Sequence, residues 1–417
     1  MQMAERKVVA GIDVHQSLLE VFLFDRRGRS RGQGETRSFG TMAADLEELK
    51  AWLLERGCTQ AGMEATGVYW RPLHAVLERH MEVIVANPVH VKIMRGHKTD
   101  RRDAEWIAHK VMEGELRGSF IPAAPFRDLR DWVRFRKQLV DARTSIRNSV
   151  TQLLEQAGVK LASALSNIYG VSGLAMLRAI SKGECDPRIL AQLAKARARR
   201  KKPLIEAACA AQLTLAQRDL LAIQLERLDQ MEEKIQFAEG RINAGLAPYR
   251  EQVQRLKAIP GVDRQTIAVV IGELGVDLSA FPNAQKLASW AGLCPGNNES
   301  AGKSKSSRCR HGNPYLRWIL MEAALGAART KTSSFRSVFH RINARRGYKR
   351  AAIAVAHKLL TVIYKMLSTG SAYRELADSP LDAKHKQREA KHLFRRLKEL
   401  GYQVPDQPTL KVSAPTG

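Results

Sequence analysis

The chain begins with short apolar runs of strand length, and helical periods come only later. Residues 7–14, KVVAGIDV, are a short apolar run rich in β-branched residues, and LLEVFLFD (18–25) follows it. A Gly-rich turn and a weaker extended stretch near 34–40 come next, so three strands are expected. From Ala43 to Glu55 the period changes to that of a helix, with Leu46, Leu49, Leu53 and Leu54 on one face. QAGMEA (60–65) reads as a strand, VYWRPLHAVLERH as a helix, EVIVANP as a strand and residues 100–115 as a helix.

Three strands followed by α, β, α, β, α fit a ribonuclease H-like α/β fold, in which an antiparallel start continues into parallel strands joined by helices. Beyond it the pattern is almost wholly helical. Trp132, Leu139, Ile146 and Leu153 recur every seven residues in a long helix over about 126–157, with Leu129 and Val150 on the neighbouring stripe. A second long helix near 213–245 places Leu221, Leu225, Leu228, Ile235 and Ile242 on a 3-4 spacing. The two stripes could pair within the chain, pair between chains as a coiled coil, or pack separately. Further on, LKAIPGVDRQTIAVVIGELG sets Pro260-Gly261 between two helical patterns. That resembles a helix-hairpin-helix element, whose Gly turn lets amides approach a phosphate, and equally a plain packing corner. A polar Gly- and Ser-rich loop then leads to a helix with Asn313 as N-cap and Pro314 at its first position, with Leu316, Ile319, Leu320 and Ala323 as its apolar face. The last strong helix, 348–370, stops at Gly370, and a charged, loosely ordered tail is expected after about 378.

Charge changes this picture more than composition does. The 417 residues carry 68 Lys plus Arg against 42 Asp plus Glu, a formal charge of +26 that favours a polyanionic partner, DNA or RNA before an anionic membrane. No continuous apolar run reaches the length of a membrane span and the first residues lack a signal-peptide pattern, so no membrane association and a cytoplasmic location are expected. The five cysteines, at 58, 185, 209, 294 and 309, show no zinc spacing, which fits a reducing compartment. KARARRKKP (195–203) holds six basic residues in the eight before Pro203; such a run is a solvated face or a nucleic-acid contact.

Against that basic background, GHKTDRRDAEWIA (96–108) carries two acids at i, i+3, Asp100 and Asp103, which share a helix face and need a counter-charge. Asp13 lies in an apolar strand and Glu64 in GMEATG; either alone reads as a strand-end acid facing solvent. Taken together, in this element order, the four would converge. An oxygen-only set suits Mg²⁺ or Mn²⁺, two of which, roughly 4 Å apart, can serve a phosphoryl transfer. Lys98, Arg101 and Arg102 would then approach a nucleic-acid backbone. His15 and His97 lie close in sequence to the acids but read as polar surface residues.

The set GIDVHQ, GMEATGVYW, VANPVHVKIMRGHKTDRRDAEWIA, IPGVDRQTIAVVIGELG and ASWAGLCPGNNESAGK, over about residues 8–376, resembles the IS-one-ten family of insertion-sequence transposases. The resemblance implies a RuvC-like DEDD domain at 1–118, a helical coiled-coil region at 119–250 containing the basic segment, a serine-bearing, mainly α transposase domain at 251–376 and a tail at 377–417. It places the family's D, E, D, D quartet on Asp13, Glu64, Asp100 and Asp103, and its serine nucleophile on Ser300. Many relatives have a second serine where this chain has Glu299 and a glycine where it has Ala301, so Ser304, Ser306 and Ser307 remain alternatives. Without the resemblance, the same stretch reads as a basic surface loop. Lys303, Lys305, Arg308, Arg310 and Arg317 flank the serine and would stabilise charge developing on phosphorus. The resemblance further implies a Mg²⁺-dependent transposase that cuts and rejoins donor and target DNA through a phosphoserine. It also implies guidance by a structured non-coding bridge RNA, a dimer or tetramer, and a bacterial, nucleoid-associated setting.

Overall fold

The computed structural model describes residues 7–26, 33–88, 100–294, 298–300, 303–306, 309, 311–375 and 380–402; the side chains of 33, 100–102, 298–300, 303–306 and 380–389 are outside that description. The chain divides into two compact units, Met1–Ile121 and Pro122–Gly417.

The first unit is built on a five-stranded mixed sheet. Strands β1 (Lys7–Val14), β2 (Leu19–Arg26) and β3 (Gln33–Phe39) form an antiparallel meander, followed by α1 (Ala43–Glu55), β4 (Gln60–Glu64), α2 (Trp70–Leu77), β5 (Glu82–Ala86) and α3 (Asp100–Met112). The strand order is β3-β2-β1-β4-β5, with β1, β4 and β5 parallel. Central strands covered on both faces must be apolar on both, and VVAGI of β1 is. Val8, Ala10, Ile12 and Val14 join Leu46, Leu49, Trp52 and Leu53 of α1 and Leu73 and Leu77 of α2 in one buried cluster. On the other face Val9 packs with Ile107, Val111 and Met112 of α3.

Two glycines decide how closely α3 sits. A Cβ at Gly11 would collide with the Ala104 carbonyl and the Ala108 amide of α3. One at Gly62 of β4 would meet Val111, and Leu116 at 2.8 Å. The helix backbone therefore rests on β1 with no side chain between, an approach only glycine permits.

Among its described residues, the second unit is built of helices and one small hairpin. Its elements are α4 (Ala124–Gln156), α5 (Leu161–Ala164), α6 (Val171–Ser181), α7 (Pro187–Gln192), α8 (Lys202–Ala208), α9 (Leu215–Leu246), α10 (Arg250–Lys257), α11 (Arg264–Leu274) and α12 (Ala284–Trp290). Strands β6 (Asn298–Ser300) and β7 (Lys303–Ser306) follow, then α13 (Pro314–Arg329), α14 (Ser334–Arg346), α15 (Tyr348–Thr369) and α16 (Pro380–Glu399). The two long helices, α4 and α9, pair with each other within the chain. They run antiparallel: Arg136 meets Glu239 at 2.6 Å while Arg143 meets Glu232 at 2.8 Å. Leu139, Ile235 and Ala238 form the buried seam, and the Trp132 and Phe237 rings lie 5.9 Å apart. The basic segment forms an exposed 3-10 turn, Ala196–Lys201, ahead of α8.

Helix α11 is the centre of the C-terminal part, buried at every position from Thr266 to Leu274. Pro260-Gly261 joins α10 to α11, and a Cβ at Gly261 (φ +79°) would collide with the Ala323 carbonyl and the Ala327 amide of α13. This glycine serves helix packing, the second of the two readings its sequence allowed. Helix α15 departs from the expectation about membrane-length segments: it is long and apolar enough to cross a membrane by length and composition. Lys358 and Lys365 break any continuous apolar run, and Ala352, Val355, Leu359, Leu360 and Ile363 are buried in the unit's core. Residues Pro380–Glu399 form a helix where a loose tail was expected, because PLDAKHKQREAKHLFRRLKE is rich in strong helix formers despite its charge.

Candidate functional site

In the first unit three of the four predicted acids, Asp13, Glu64 and Asp103, have described side chains, and the fold places them toward one end of the sheet. Ile12 pairs with Met63 across the parallel β1–β4 ladder, so Asp13 and Glu64, the next residue of each strand, lie level at the same end of the sheet. Side chains alternate along a strand. Gly11 and Gly62 face α3, so Asp13 and Glu64 face it too. Helix α3 runs against β1 with Val111 and Met112 near Val9 and Ala104 near Gly11. Its N-terminal turn thus lies over the end of β1 that carries Asp13. Asp103, in that turn, is 8% exposed. Asp100 is the first residue of α3, and its side chain falls outside the described set, as do those of Arg101 and Arg102; Lys98 and His97 fall outside the described residues altogether.

His15 Nε2 lies 3.1 Å from Asp13 Oδ2, with the imidazole 47% and the carboxylate 15% exposed. Sequence reasoning set His15 aside as a polar surface residue; it is exposed, as expected, and reaches Asp13 from just beyond the end of β1. Among the described residues no group of three or more His, Cys, Asp or Glu side chains is close enough to hold a metal ion. The donor chemistry at this end of the sheet is nevertheless hard oxygen, which fits Mg²⁺ or Mn²⁺ and not a softer metal.

In the second unit the stretch around Ser300 is a hairpin, where a loop was expected. Ser300 is the last residue of β6 and pairs with Lys303, the first of β7; Glu299 pairs with Ser304. Only Ala301 and Gly302 separate the strands in sequence. The strands are short and polar on both faces, so no apolar alternation marked them. Lys305 and Ser306 lie on β7, whereas Ser307, Arg308 and Arg310 are outside the described residues. Arg317 is half-buried in the first turn of α13.

What sequence reasoning missed lies at the start of α13, the helix that follows this hairpin in the chain. Glu273, in the last turn of the otherwise apolar α11, is completely buried. Arg134 of α4 grips it with two parallel bonds, Nε to Oε1 at 2.7 Å and Nη2 to Oε2 at 2.8 Å. Arg130 approaches Oε2 at 3.1 Å and donates to the Glu273 carbonyl at 2.7 Å. Burial opposes the Arg134 charge, but the hydrogen bonds and attraction of Glu273 outweigh it and hold the guanidinium above its ordinary pKa. Asn313, the predicted cap, accepts from the Tyr315 and Leu316 amides at 3.1 and 3.0 Å, and its Nδ2 donates to Glu273 Oε2 at 2.6 Å. An acid inside an apolar run, VVIGELG, was the available signal.

Comparison with known proteins follows the same two regions. Residues 10–159 match the DEDD transposase family model of the IS110 kind, and residues 253–340 match the family described as Transposase IS116/IS110/IS902 family. The transposase for insertion sequence element IS1111A of Coxiella burnetii is 24% identical over 374 residues, covering 88% of this chain and 91% of its own. A probable family 20 transposase of Pseudomonas aeruginosa is 27% identical over 319 residues, 75% of this chain and 85% of its own. The putative transposase y4pF/y4sB of Sinorhizobium fredii is 24% identical over 324 residues, 76% of this chain and 75% of its own. The DEDD match points to use of a divalent metal ion. Both family matches and the relatives along most of its length support the chain as an IS110-family insertion-sequence transposase, a DNA-binding enzyme of DNA cleavage and rejoining.

Proposed function

We propose that the chain exchanges DNA strands through a phosphoserine formed on Ser300, with Asp13, Glu64, Asp100 and Asp103 as the carboxylates of a ribonuclease H-like metal site. The observation that supports this reading is the placement of Asp13, Glu64 and the N-terminal turn of α3 at the same end of a β3-β2-β1-β4-β5 sheet. Mg²⁺ bound by these oxygens would supply charge neutralisation at a phosphodiester. His15, beside Asp13, would orient that carboxylate.

The chain's own part in the reaction is a transesterification. Ser300 Oγ forms a bond to phosphorus as the bond from phosphorus to a deoxyribose oxygen breaks; the serine proton is lost to a base and the leaving oxygen gains one. The phosphoserine retains the energy of the linkage, so a free DNA hydroxyl can reverse the attack on another strand without ATP. Lys303, Lys305, Arg308, Arg310 and Arg317 would balance the phosphate charge, and Lys98, Arg101 and Arg102 would meet the backbone near the acids. A structured non-coding RNA from the same element would choose donor and target by base pairing, leaving the protein to read backbone and shape. A dimer or tetramer would bring the serine of one region to the acids of another.

The test is a Ser300→Ala variant, assayed with Mg²⁺, the RNA that copurifies with the chain and a DNA duplex spanning the ends of its insertion sequence. Cleavage and the covalent protein-DNA adduct are both expected to disappear. Retention of cleavage without an adduct would instead favour hydrolysis by metal-activated water. Asp13→Asn should abolish strand exchange while nucleic-acid binding stays near normal; full activity would remove the carboxylates from the reaction.

A further inference from the structure

The Glu273 cluster is an unusual investment for a helix core. A buried ion pair contributes little net stability, because desolvation of the charges offsets their attraction, and apolar residues of similar volume often do better. What such a cluster does supply is direction: a bidentate Arg–carboxylate pair has one geometry. Its partners show what is being directed. Both ends of the Asn313 amide are engaged, its oxygen by the first amides of α13 and its nitrogen by Glu273 Oε2. The Asn313 backbone N–H donates to the Trp290 carbonyl at the end of α12 at 3.2 Å. Next to it, a Cβ at Gly312 would collide with the backbone of Gly292. The Arg134 guanidinium also lies 4.6 Å from the Tyr315 ring, and Lys137 Nζ 4.8 Å from that of Trp318, so α4 grips the first turns of α13 from two further points.

The chain thus leaves α12 at Gly292 and enters α13 at Gly312 and Asn313 with those two points in backbone contact. Between them lies the whole segment with β6, Ser300 and β7. We propose that Glu273 is a positioning residue for the serine hairpin: held by Arg130 and Arg134, it fixes Asn313 and so joins the two ends of the segment that carries Ser300. The proposal rests on Ser300 being the nucleophile, and its consequence is kinetic. Reacting atoms misplaced by about 1 Å can cost on the order of 100-fold in rate.

Asn313→Asp isolates the link. The new carboxylate still caps α13, since Asp accepts from the same amides as well as Asn does, but it turns an oxygen toward Glu273 in place of an N–H. Leu177→Ala, in the separate buried cluster of α6, serves as a control for general destabilisation. All are assayed as full-length chains, well below their unfolding midpoints, with the DNA duplex and RNA named above.

Asn313→Asp is expected to slow adduct formation by about 10- to 100-fold and to speed hydrogen exchange in peptides from 291–313 by about tenfold. Leu177→Ala should leave both unchanged. A wild-type adduct rate in Asn313→Asp, or an equal loss in Leu177→Ala, would overturn the proposal. If Ser300→Ala still forms the adduct, the nucleophile assignment falls instead. The exchange measurement then judges the brace by itself: wild-type exchange in Asn313→Asp would overturn it.

Discussion

Glu273 shows how much a single side chain can depend on residues far away in sequence. Its neighbours in α11 are apolar, and its partners come from 139, 143 and 40 positions away. The cysteines show the same dependence on surroundings. Burial pushes the Cys58 thiol up to about 11, with hydrogen bonds to the backbone of Gln60 and Ala10 opposing it, and burial alone does the same for Cys209. Cys185 is exposed. Because the thiolate is the nucleophile, alkylation of the native chain at pH 8 followed by peptide mapping should modify Cys185 well before Cys58 and Cys209. Equal rates would mean that the two cores open freely. The sign of the linkage follows: unfolded thiols ionise near 9 and the folded ones near 11, so each contributes stability that declines as pH rises through that interval.

At the scale of elements, the antiparallel α4–α9 pair separates two kinds of contact. Leu139→Ala, in its buried seam, should cost about 2–5 kcal/mol, whereas Arg143→Ala should cost at most about 1 kcal/mol because its partner Glu232 is half exposed and screened. Urea unfolding of both variants checks the contrast, and a reversed order would mean that ion pairs hold the two helices together. The elements themselves were largely legible in the amino-acid order. Short apolar runs located β1, β2, β4 and β5, leucine spacing located α1 and both long helices, and Asn313-Pro314 marked the start of α13. Three features were not legible, each for a physical reason. β6 and β7 are polar on both faces and so carry no period. α16 is charged throughout yet made of helix formers, so propensity outweighed the expectation of a loose tail. The role of Gly261 depends on α13, more than 50 residues away, which local pattern cannot reveal. Of the candidate site, the residue types and the level placement of Asp13 and Glu64 followed from the strand order, whereas Glu273 could be seen only once α4, α11 and α13 were brought together.

At the scale of the molecule, charge sets the terms of association. The excess of +26 is uneven: residues 323–374 contain 11 Lys and Arg and no Asp or Glu. A DNA-binding enzyme with such a surface releases counterions on binding, and one making 6–10 phosphate contacts loses about 10³- to 10⁵-fold in affinity between 50 and 200 mM salt. A titration of a fluorescent duplex at several salt concentrations should show a steep slope of this kind, and a flat response would contradict broad phosphate contact.

The glycine seat beneath α3 bears on all of this. Acids of like sign drawn to one end of a sheet repel, and a helix resting on flexible side chains would yield to that push by sliding or rolling. Here the carbonyl of Ala104 and the amide of Ala108 bear directly on Gly11, so the seat works like a notch that indexes the helix at one height and one rotation. The height of Asp103 over the strand that carries Asp13 is therefore set by main-chain shape. A methyl group added at position 11, touching none of the carboxylates, would spoil their alignment.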